Sequence, residues 1–156
     1  METKKVKIVI LNGPNINLLG EREPEVYGEK TWKEIEEKIN GYCNSLDICV
    51  DVFQSNTEGE IINFVQQNYN DWDAIVINPA SLTINGYGLL ECLLAIKKPF
   101  IEVHMSNIYL RGGWHSKSIF SAHSLGVIVG FKELVYVYSV GILKDYLNKL
   151  EEVENG

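Results

Sequence analysis

Short aliphatic runs alternate with longer amphipathic stretches along this chain, and the pattern predicts alternating strands and helices. The aliphatic runs are rich in β-branched residues, which is typical of strands buried on both faces of a parallel sheet. We predict five such strands, at residues 6–11, 48–53, 74–77, 100–103 and 126–131.

Between these strands, hydrophobic residues recur at helical spacing. Thr31 and Glu34 form a capping-box pattern at the start of the first such stretch, and Ser55 and Glu58 repeat it before the second. We predict helices over about 31–45, across 61–65, over about 85–97 and over about 134–152.

The alternation of elements predicts a doubly wound α/β fold with five parallel strands and right-handed crossovers. At 156 residues, we expect a single domain over residues 1–156 with the flavodoxin-like strand order 2-1-3-4-5. A long loop over residues 17–29 carries glycines, a proline and alternating charges. Loops of this length inside a compact domain are often functional lids.

Composition narrows the class of partner and the compartment. The net charge of −7 argues against a nucleic acid or an anionic membrane held by a basic surface. Cys43, Cys49 and Cys92 show no paired spacing, so we expect reduced thiols in a cytoplasmic protein. We also expect neither a signal peptide nor a membrane span, because no apolar run is long enough.

Polar residues follow four of the predicted strands, at the edge where an open parallel sheet binds its ligands. This predicts one site built by several loops, and an enzyme. His104 is the strongest candidate, because Glu102 lies two residues earlier on the same strand face. A carboxylate beside an imidazole favours the charged ring, which suits a general acid. The alternative is a buried ion pair that only shapes the core.

Arg22 and Tyr27 lie on the long loop. Free tyrosine has a pKa of about 10 and is a poor base at neutral pH. A nearby guanidinium stabilises a phenolate, so Arg22 can make Tyr27 a general base. From spacing alone, a surface arginine and a tyrosine that anchors the loop are the simpler interpretation.

The remaining candidates are neutral polar groups near strand ends. Asn15, Gln54 and Asn78 are either turn residues or hydrogen-bond donors to a substrate carbonyl, carboxylate or enolate. The backbone amides of Met105 and Ser106, with the Ser106 hydroxyl, can cradle a carboxylate. The three histidines show no metal-ligand spacing, so we predict no metal site, and no nucleotide-binding glycine motif is present.

Four segments, in order and over nearly the whole chain, resemble those of the type II 3-dehydroquinate dehydratases. They are NGPNINLLGEREPEVYG at 12–28, FQSNTEG at 53–59, IEVHMSN at 101–107 and GVIVG at 126–130. The resemblance implies a flavodoxin-like fold and a homododecamer of four trimers. It also implies dehydration of 3-dehydroquinate to 3-dehydroshikimate by anti elimination through an enolate, without a metal, Schiff base or other cofactor.

The resemblance further assigns roles to individual residues. Tyr27 matches the base that takes the C2 proton, and Arg22 matches the group that activates it. Asn15 matches the residue that organises the water facing the enolate oxygen. His104 matches the acid that protonates the departing C1 hydroxyl, with Glu102 orienting it. The carboxylate-binding set corresponds to Asn78, Met105 and Ser106.

Departures from the family pattern lie in the part of the site that holds the ring hydroxyls. Ile84 replaces a substrate-binding histidine, and Asn85 beside it can supply part of the lost hydrogen bonding. The aspartate that reaches an adjacent subunit's site falls at Glu91. Arg111 is retained, but the substrate-binding arginine falls at His115, which is shorter and lacks the guanidinium fork.

Three hypotheses follow, and a working 3-dehydroquinate dehydratase is the favoured one. The second is a dehydratase of the same mechanism that acts on a related cyclic hydroxy-keto acid. The third is a noncatalytic metabolite-binding protein on this fold. Retention of Arg22, Tyr27, Glu102 and His104 argues against the third, because a pure binder needs neither an acid nor a base.

Overall fold

Five parallel strands form one sheet in the order β2-β1-β3-β4-β5, in a computed structural model that describes residues 4–156. The predicted flavodoxin-like order is thereby confirmed. The strands are β1 (Val6–Asn12), β2 (Ile48–Gln54), β3 (Ala74–Asn78), β4 (Phe100–His104) and β5 (Gly126–Val129). In register, Asn12 of β1 lies opposite both Gln54 and Asn78, so their polar ends meet at one edge.

Two helical layers cover the sheet. The helices are α1 (Pro24–Tyr27), α2 (Trp32–Ser45), α3 (Glu58–Asn68), α4 (Tyr87–Ile96), α5 (Ile108–Arg111) and α6 (Leu134–Asn155). Alternate residues of the strands point to opposite faces. One face packs on α2 and α6 through a cluster that includes Ile10, Ile39 and Tyr136. The other packs on α3 and α4 through residues such as Ile77 and Leu89.

The predicted capping box at α2 is confirmed, and the one at α3 is wrong. Thr31 accepts a hydrogen bond from the Glu34 amide, and the Glu34 carboxylate accepts one from the Thr31 amide at 2.8 Å. At α3 the N-cap is Thr57, which makes no side-chain cap. The Glu58 carboxylate instead accepts the Leu89 amide at 2.9 Å, so it caps the first turn of α4. That turn starts two residues later than predicted.

The segment predicted as an irregular loop over 17–29 contains two short helical turns. A 3₁₀ turn spans Ile16–Leu18, and α1 follows a few residues later. Pro24 occupies the first turn of α1, where its fixed φ suits a helix and its missing amide is not needed. This turn places Tyr27, and Gly28 ends it at φ +92°.

Candidate active site

A cleft of about 550 Å³, including its open mouth, lies at the carboxyl ends of β1, β3 and β4. Nine of the candidate residues line it: Asn15, Arg22, Tyr27, Asn78, His104, Met105, Ser106, Arg111 and His115. Glu102 lies behind His104 and is fully buried. Ile84, Asn85 and Glu91 are exposed and do not line the cleft of this chain.

His104 and Glu102 form a buried pair at the end of β4. The Nε2 atom of His104 lies 2.6 Å from Oε1 of Glu102, and His104 retains only 6% of its exposure, at the cleft. The predicted proximity of the two side chains is therefore correct. Its cause is the two-residue repeat of a strand, which points both side chains to one face.

The carboxylate of Glu102 has a second polar partner. Ser121 donates a hydrogen bond from Oγ to Oε2 of Glu102 at 2.5 Å. Burial alone would raise the pKa of Glu102, but hydrogen bonds from His104, Ser118 and Ser121 hold it below its ordinary value. Because an ionised carboxylate only accepts hydrogen bonds, Nε2 of His104 is the donor. The other ring nitrogen, Nδ1, is left to exchange a proton at the cleft.

Tyr27 lies between two guanidinium groups. Arg111 donates a hydrogen bond from Nη1 to the Tyr27 hydroxyl at 2.7 Å. The Arg22 guanidinium carbon lies 4.8 Å from the centre of the same ring, in cation–π contact. Sequence reasoning paired Tyr27 with Arg22 alone. The structure adds Arg111, which comes from α5 and reaches the phenol from 84 residues away.

Asn78 is held by a chain of buried hydrogen bonds on the α6 face. Its Nδ2 atom donates to the Tyr136 hydroxyl at 2.8 Å, and that hydroxyl donates to Oδ1 of Asn12 at 2.8 Å. The Asn78 Oδ1 atom accepts the Ala80 amide at 3.2 Å. One Nδ2 hydrogen of Asn78 remains available at the cleft. Complete burial raises the pKa of Tyr136, which keeps this phenol neutral and able to donate.

Asn15 reaches the cleft from a tight turn after β1. Its backbone is left-handed at φ +70°, a conformation that asparagine tolerates better than most residues. The Asn56 side chain accepts the Asn15 amide at 2.9 Å and also accepts Nε2 of Gln54 at 3.1 Å. Gln54 thus supports the turn rather than lining the cleft.

Met105 and Ser106 form the bend between β4 and α5, and both are buried. The Met105 carbonyl accepts the Lys132 amide at 2.9 Å, which fixes the bend against the segment before α6. Asn107 then caps α5 by accepting the Tyr109 amide at 3.2 Å. The bend therefore lies at the cleft in a defined orientation.

His115 lies on the rim of the cleft and packs on Trp114. The two rings are stacked, with centroids 3.8 Å apart and an interplanar angle of 24°. Partial desolvation lowers the pKa of His115, the Arg111 charge lowers it further, and Glu23 opposes the shift. The segment enters this turn through Gly112 and Gly113, both at positive φ.

Sequence reasoning missed several residues that complete the site. Ser121 and Tyr136 gave no signal, because each contacts a partner through the tertiary path of the chain. Asn12 had a signal, since it ends β1 next to the recognised polar residues. Thr83 and Trp114 also line the cleft, and each immediately precedes a predicted site residue, Ile84 or His115.

No group of three or more histidine, cysteine, aspartate or glutamate side chains within residues 4–156 is arranged to hold a metal ion. Over the same residues, no helix has the length and apolar character to cross a membrane.

The sequence and the fold of this chain are similar to those of known proteins. Residues 6–144 match the family model described as dehydroquinase class II. The 3-dehydroquinate dehydratase of Halothermothrix orenii is 41% identical over 143 residues, covering 92% of this chain and 97% of that protein. The 3-dehydroquinate dehydratase of Clostridium acetobutylicum is 43% identical over 144 residues, covering 92% and 100%. The crystal structure of type II dehydroquinase from Butyrivibrio crossotus superposes with a TM-score of 0.86 at 37% identity, covering 90% and 98%.

Proposed function

The chain belongs to the class II dehydroquinases, and on this basis we propose that it removes water from 3-dehydroquinate to give 3-dehydroshikimate. In this proposal it is a hydro-lyase that works by anti elimination through an enolate. One observation supports the mechanism. The Tyr27 phenol, hydrogen-bonded to the Arg111 guanidinium, and the His104 imidazole, hydrogen-bonded to the Glu102 carboxylate, line the same cleft. These are a base and an acid that need no cofactor.

Tyr27 is the proposed base for the C2 proton. Loss of its proton creates a phenolate, and the Arg111 hydrogen bond at 2.7 Å is positioned to stabilise that charge. Arg22 adds a second positive charge over the ring. The cation–π contact also orients the ring, so both arginines act on the same group.

His104 is the proposed acid for the C1 hydroxyl. Glu102 stays ionised, accepts Nε2–H and favours the imidazolium form of the ring. The proton on Nδ1 then passes to the hydroxyl, the C1–O bond breaks, and water leaves. The ring returns to its neutral form and is reprotonated from solvent, while Tyr27 releases the proton taken from C2 to solvent, before the next cycle.

The carbonyl and carboxylate of the substrate require hydrogen-bond donors. We assign the carboxylate to the free Nδ2 hydrogen of Asn78, the backbone amides of Met105 and Ser106, and the Ser106 hydroxyl. Asn15 is assigned to the water that faces the enolate oxygen. Its left-handed turn presents the side chain at the cleft wall.

The ring hydroxyls are assigned to a more open group of residues. His115 is the member of this group that lines the cleft. Ile84, Asn85 and Glu91 are exposed on and before α4, which suits a role at a cleft shared with another subunit. In our proposal Glu91 reaches a neighbouring site, in a homododecamer of four trimers. The substrate is the small-molecule partner in this assembly.

A second candidate function rests on the His115 and Ile84 positions. A histidine and an isoleucine do not offer the hydrogen bonds of an arginine and a histidine to ring hydroxyls. A related cyclic hydroxy-keto acid with fewer or shifted hydroxyls would fit such a pocket by the same mechanism. A purely binding role is disfavoured, because the acid and the base both have the partners that catalysis needs.

Incubation of the purified protein with 3-dehydroquinate tests the proposal directly. The product carries a conjugated enone, so we expect the ultraviolet absorbance to rise with time. A folded His104→Asn variant should be inactive, while His123→Asn, which changes an exposed histidine, should keep the activity. If the folded wild-type protein gave no product, a screen of related hydroxy-keto acids would test the second candidate.

A further inference from the structure

The buried carboxylate of Glu102 is held from both sides. One oxygen bonds His104 at 2.6 Å and the other accepts Ser121 at 2.5 Å, while Glu102 itself has no exposed surface. The three side chains form a continuous chain from a 3₁₀ turn at Ser121–His123 to the cleft. Ser121 does not itself line the cleft, so any effect on the reaction must pass through Glu102.

The position of Ser121 is fixed by contacts on both sides of it in sequence. The Ile119 amide donates a hydrogen bond to the Thr83 carbonyl at 2.8 Å, and the Leu125 amide donates one to the Phe100 carbonyl at 2.8 Å. Between them Phe120 is completely buried. The segment thus runs from Thr83, beyond the carboxyl end of β3, to Phe100 at the amino end of β4, and the Ser121 hydroxyl meets the carboxylate in a defined geometry.

A carboxylate bonded through one oxygen can rotate about its Cγ–Cδ bond. The hydrogen bond from Ser121 restricts this rotation, with a further contribution from the Ser118 hydroxyl, and it compensates an oxygen that has no access to water. An ionised, well-oriented carboxylate stabilises the charged imidazole more strongly than a rotating one. The hydroxyl of Ser121 therefore controls how firmly Glu102 holds the proton-carrying ring.

We propose that Ser121 is a positioning residue for the dehydration reaction, which orients Glu102 and through it the acid His104. This inference rests on the proposed function of the cleft. Other titratable or charged groups surround the Glu102–His104 pair, and they must be kept constant in a test. Those that line the cleft with His104 are Tyr27, Arg22, Arg111 and His115, and His123 shares the turn with Ser121.

The test compares Ser121→Ala with three other variants. Ser121→Ala removes the hydroxyl, and Ser121→Thr restores it. Ser124→Ala is the matched control, because the Ser124 hydroxyl bonds the Ser121 carbonyl at 2.9 Å and leaves the carboxylate untouched. Ser121→Cys serves as a second variant that fills the space with a weak donor, should the alanine variant not fold.

We expect Ser121→Ala to lower kcat about tenfold, as for loss of one hydrogen bond to a charged group, with little change in KM. The alkaline limb of the kcat profile should move to lower pH, because the imidazolium is less stabilised. Ser121→Thr should recover most of the rate, and Ser124→Ala should behave as wild type. A wild-type rate and pH profile in Ser121→Ala, or an equal loss in Ser124→Ala, would overturn the assignment.

A readout independent of turnover separates this inference from the proposed function. The chain has three histidines, so ¹⁵N-labelled imidazole signals can be assigned with His115→Asn and His123→Asn. The ¹⁵N signal of His104 Nε2, which donates to Glu102, should shift at a fixed pH in Ser121→Ala and stay unchanged in Ser124→Ala. An unchanged signal in Ser121→Ala would refute the positioning role even in a protein that does not turn over 3-dehydroquinate.

Discussion

The two halves of the cleft differ in how their side chains are held. In the proton-transfer half, each member bonds another polar side chain; its members are Tyr27, Arg111, Glu102 and His104. The proposed ring-binding half comprises His115 on the rim and three exposed residues that do not line the cleft of this chain, Ile84, Asn85 and Glu91. His115 stacks on Trp114.

This difference separates two properties of the site. The groups proposed for proton transfer are positioned within one chain, whereas those proposed for ring binding are not all at the cleft of that chain. The proposed acid and base are held by the end of β4, by the short helix α1 and by hydrogen bonds within the chain. The ring-binding half depends on a surface turn and on residues that do not reach the cleft of their own chain. Substrate preference can therefore change without disturbing the proton transfers.

The largest expected effect is on the proton-transfer half. Tyr27→Phe removes the proposed proton acceptor together with the hydrogen bond that it accepts from Arg111, so kcat should fall by roughly 10²- to 10⁴-fold. Circular dichroism should show an unchanged fold. Tyr109→Phe is the matched control, because Tyr109 is exposed on α5 and its substitution should leave kcat unchanged. A near wild-type rate in Tyr27→Phe would remove the basis of the assignment.

The next largest effect on kcat is expected from the two arginines that contact Tyr27. Arg111→Lys loses the charge-assisted hydrogen bond geometry, and kcat should decrease roughly 10- to 100-fold. Arg22→Lys should also lower kcat, through the cation–π contact. Because both act on one phenolate, the double variant should lose less than the product of the single losses. Multiplicative losses would mean that the arginines act on different groups.

A smaller effect is expected in the ring-binding half. His115→Arg supplies a guanidinium fork for a ring hydroxyl, so KM for 3-dehydroquinate should fall roughly three- to tenfold with kcat little changed. His115→Lys adds the same positive charge at the same position without the guanidinium fork, and it controls for a general charge effect. An unchanged or higher KM in His115→Arg would contradict our assignment of His115.

The smallest effect concerns stability in acid. The folded-state pKa of Glu102 is lowered, so below about pH 4.3 the unfolded chain binds more protons at this residue than the folded one does. Its contribution to stability is present above that pH and is lost as the pH falls through the folded-state value. Glu102→Gln should therefore lose less stability than wild type between pH 7 and pH 3.5, measured by urea unfolding. Parallel losses would show that Glu102 does not titrate with unfolding.

The parts of the site predicted from the sequence are those fixed by local geometry. The strand order and the Glu102–His104 pair follow from strand periodicity and from short crossovers. The Arg111–Tyr27 bond and the Ser121–Glu102 bond were not predictable in this way. Each depends on where a long loop returns in space, and neither loop carries a periodic pattern.

The error at the start of α3 has the same origin. The Ser55 and Glu58 pattern satisfies the local rule for a capping box, but a tertiary partner competes for the carboxylate. The Leu89 amide at the start of α4 has no partner within its own helix, and Glu58 supplies one. Local sequence rules describe one helix at a time and do not include such a contact between two helices.

The stacking of Trp114 on His115 gives the protein an internal optical probe. A protonated imidazole quenches an adjacent excited indole more strongly than a neutral one does. We expect brighter fluorescence emission from Trp114 when His115 is neutral, and a further change if a ligand separates the two rings. Trp32 and Trp72 do not line the cleft and provide the background emission. Ligand occupancy at the rim can thus be followed by emission intensity, without a dye and during turnover.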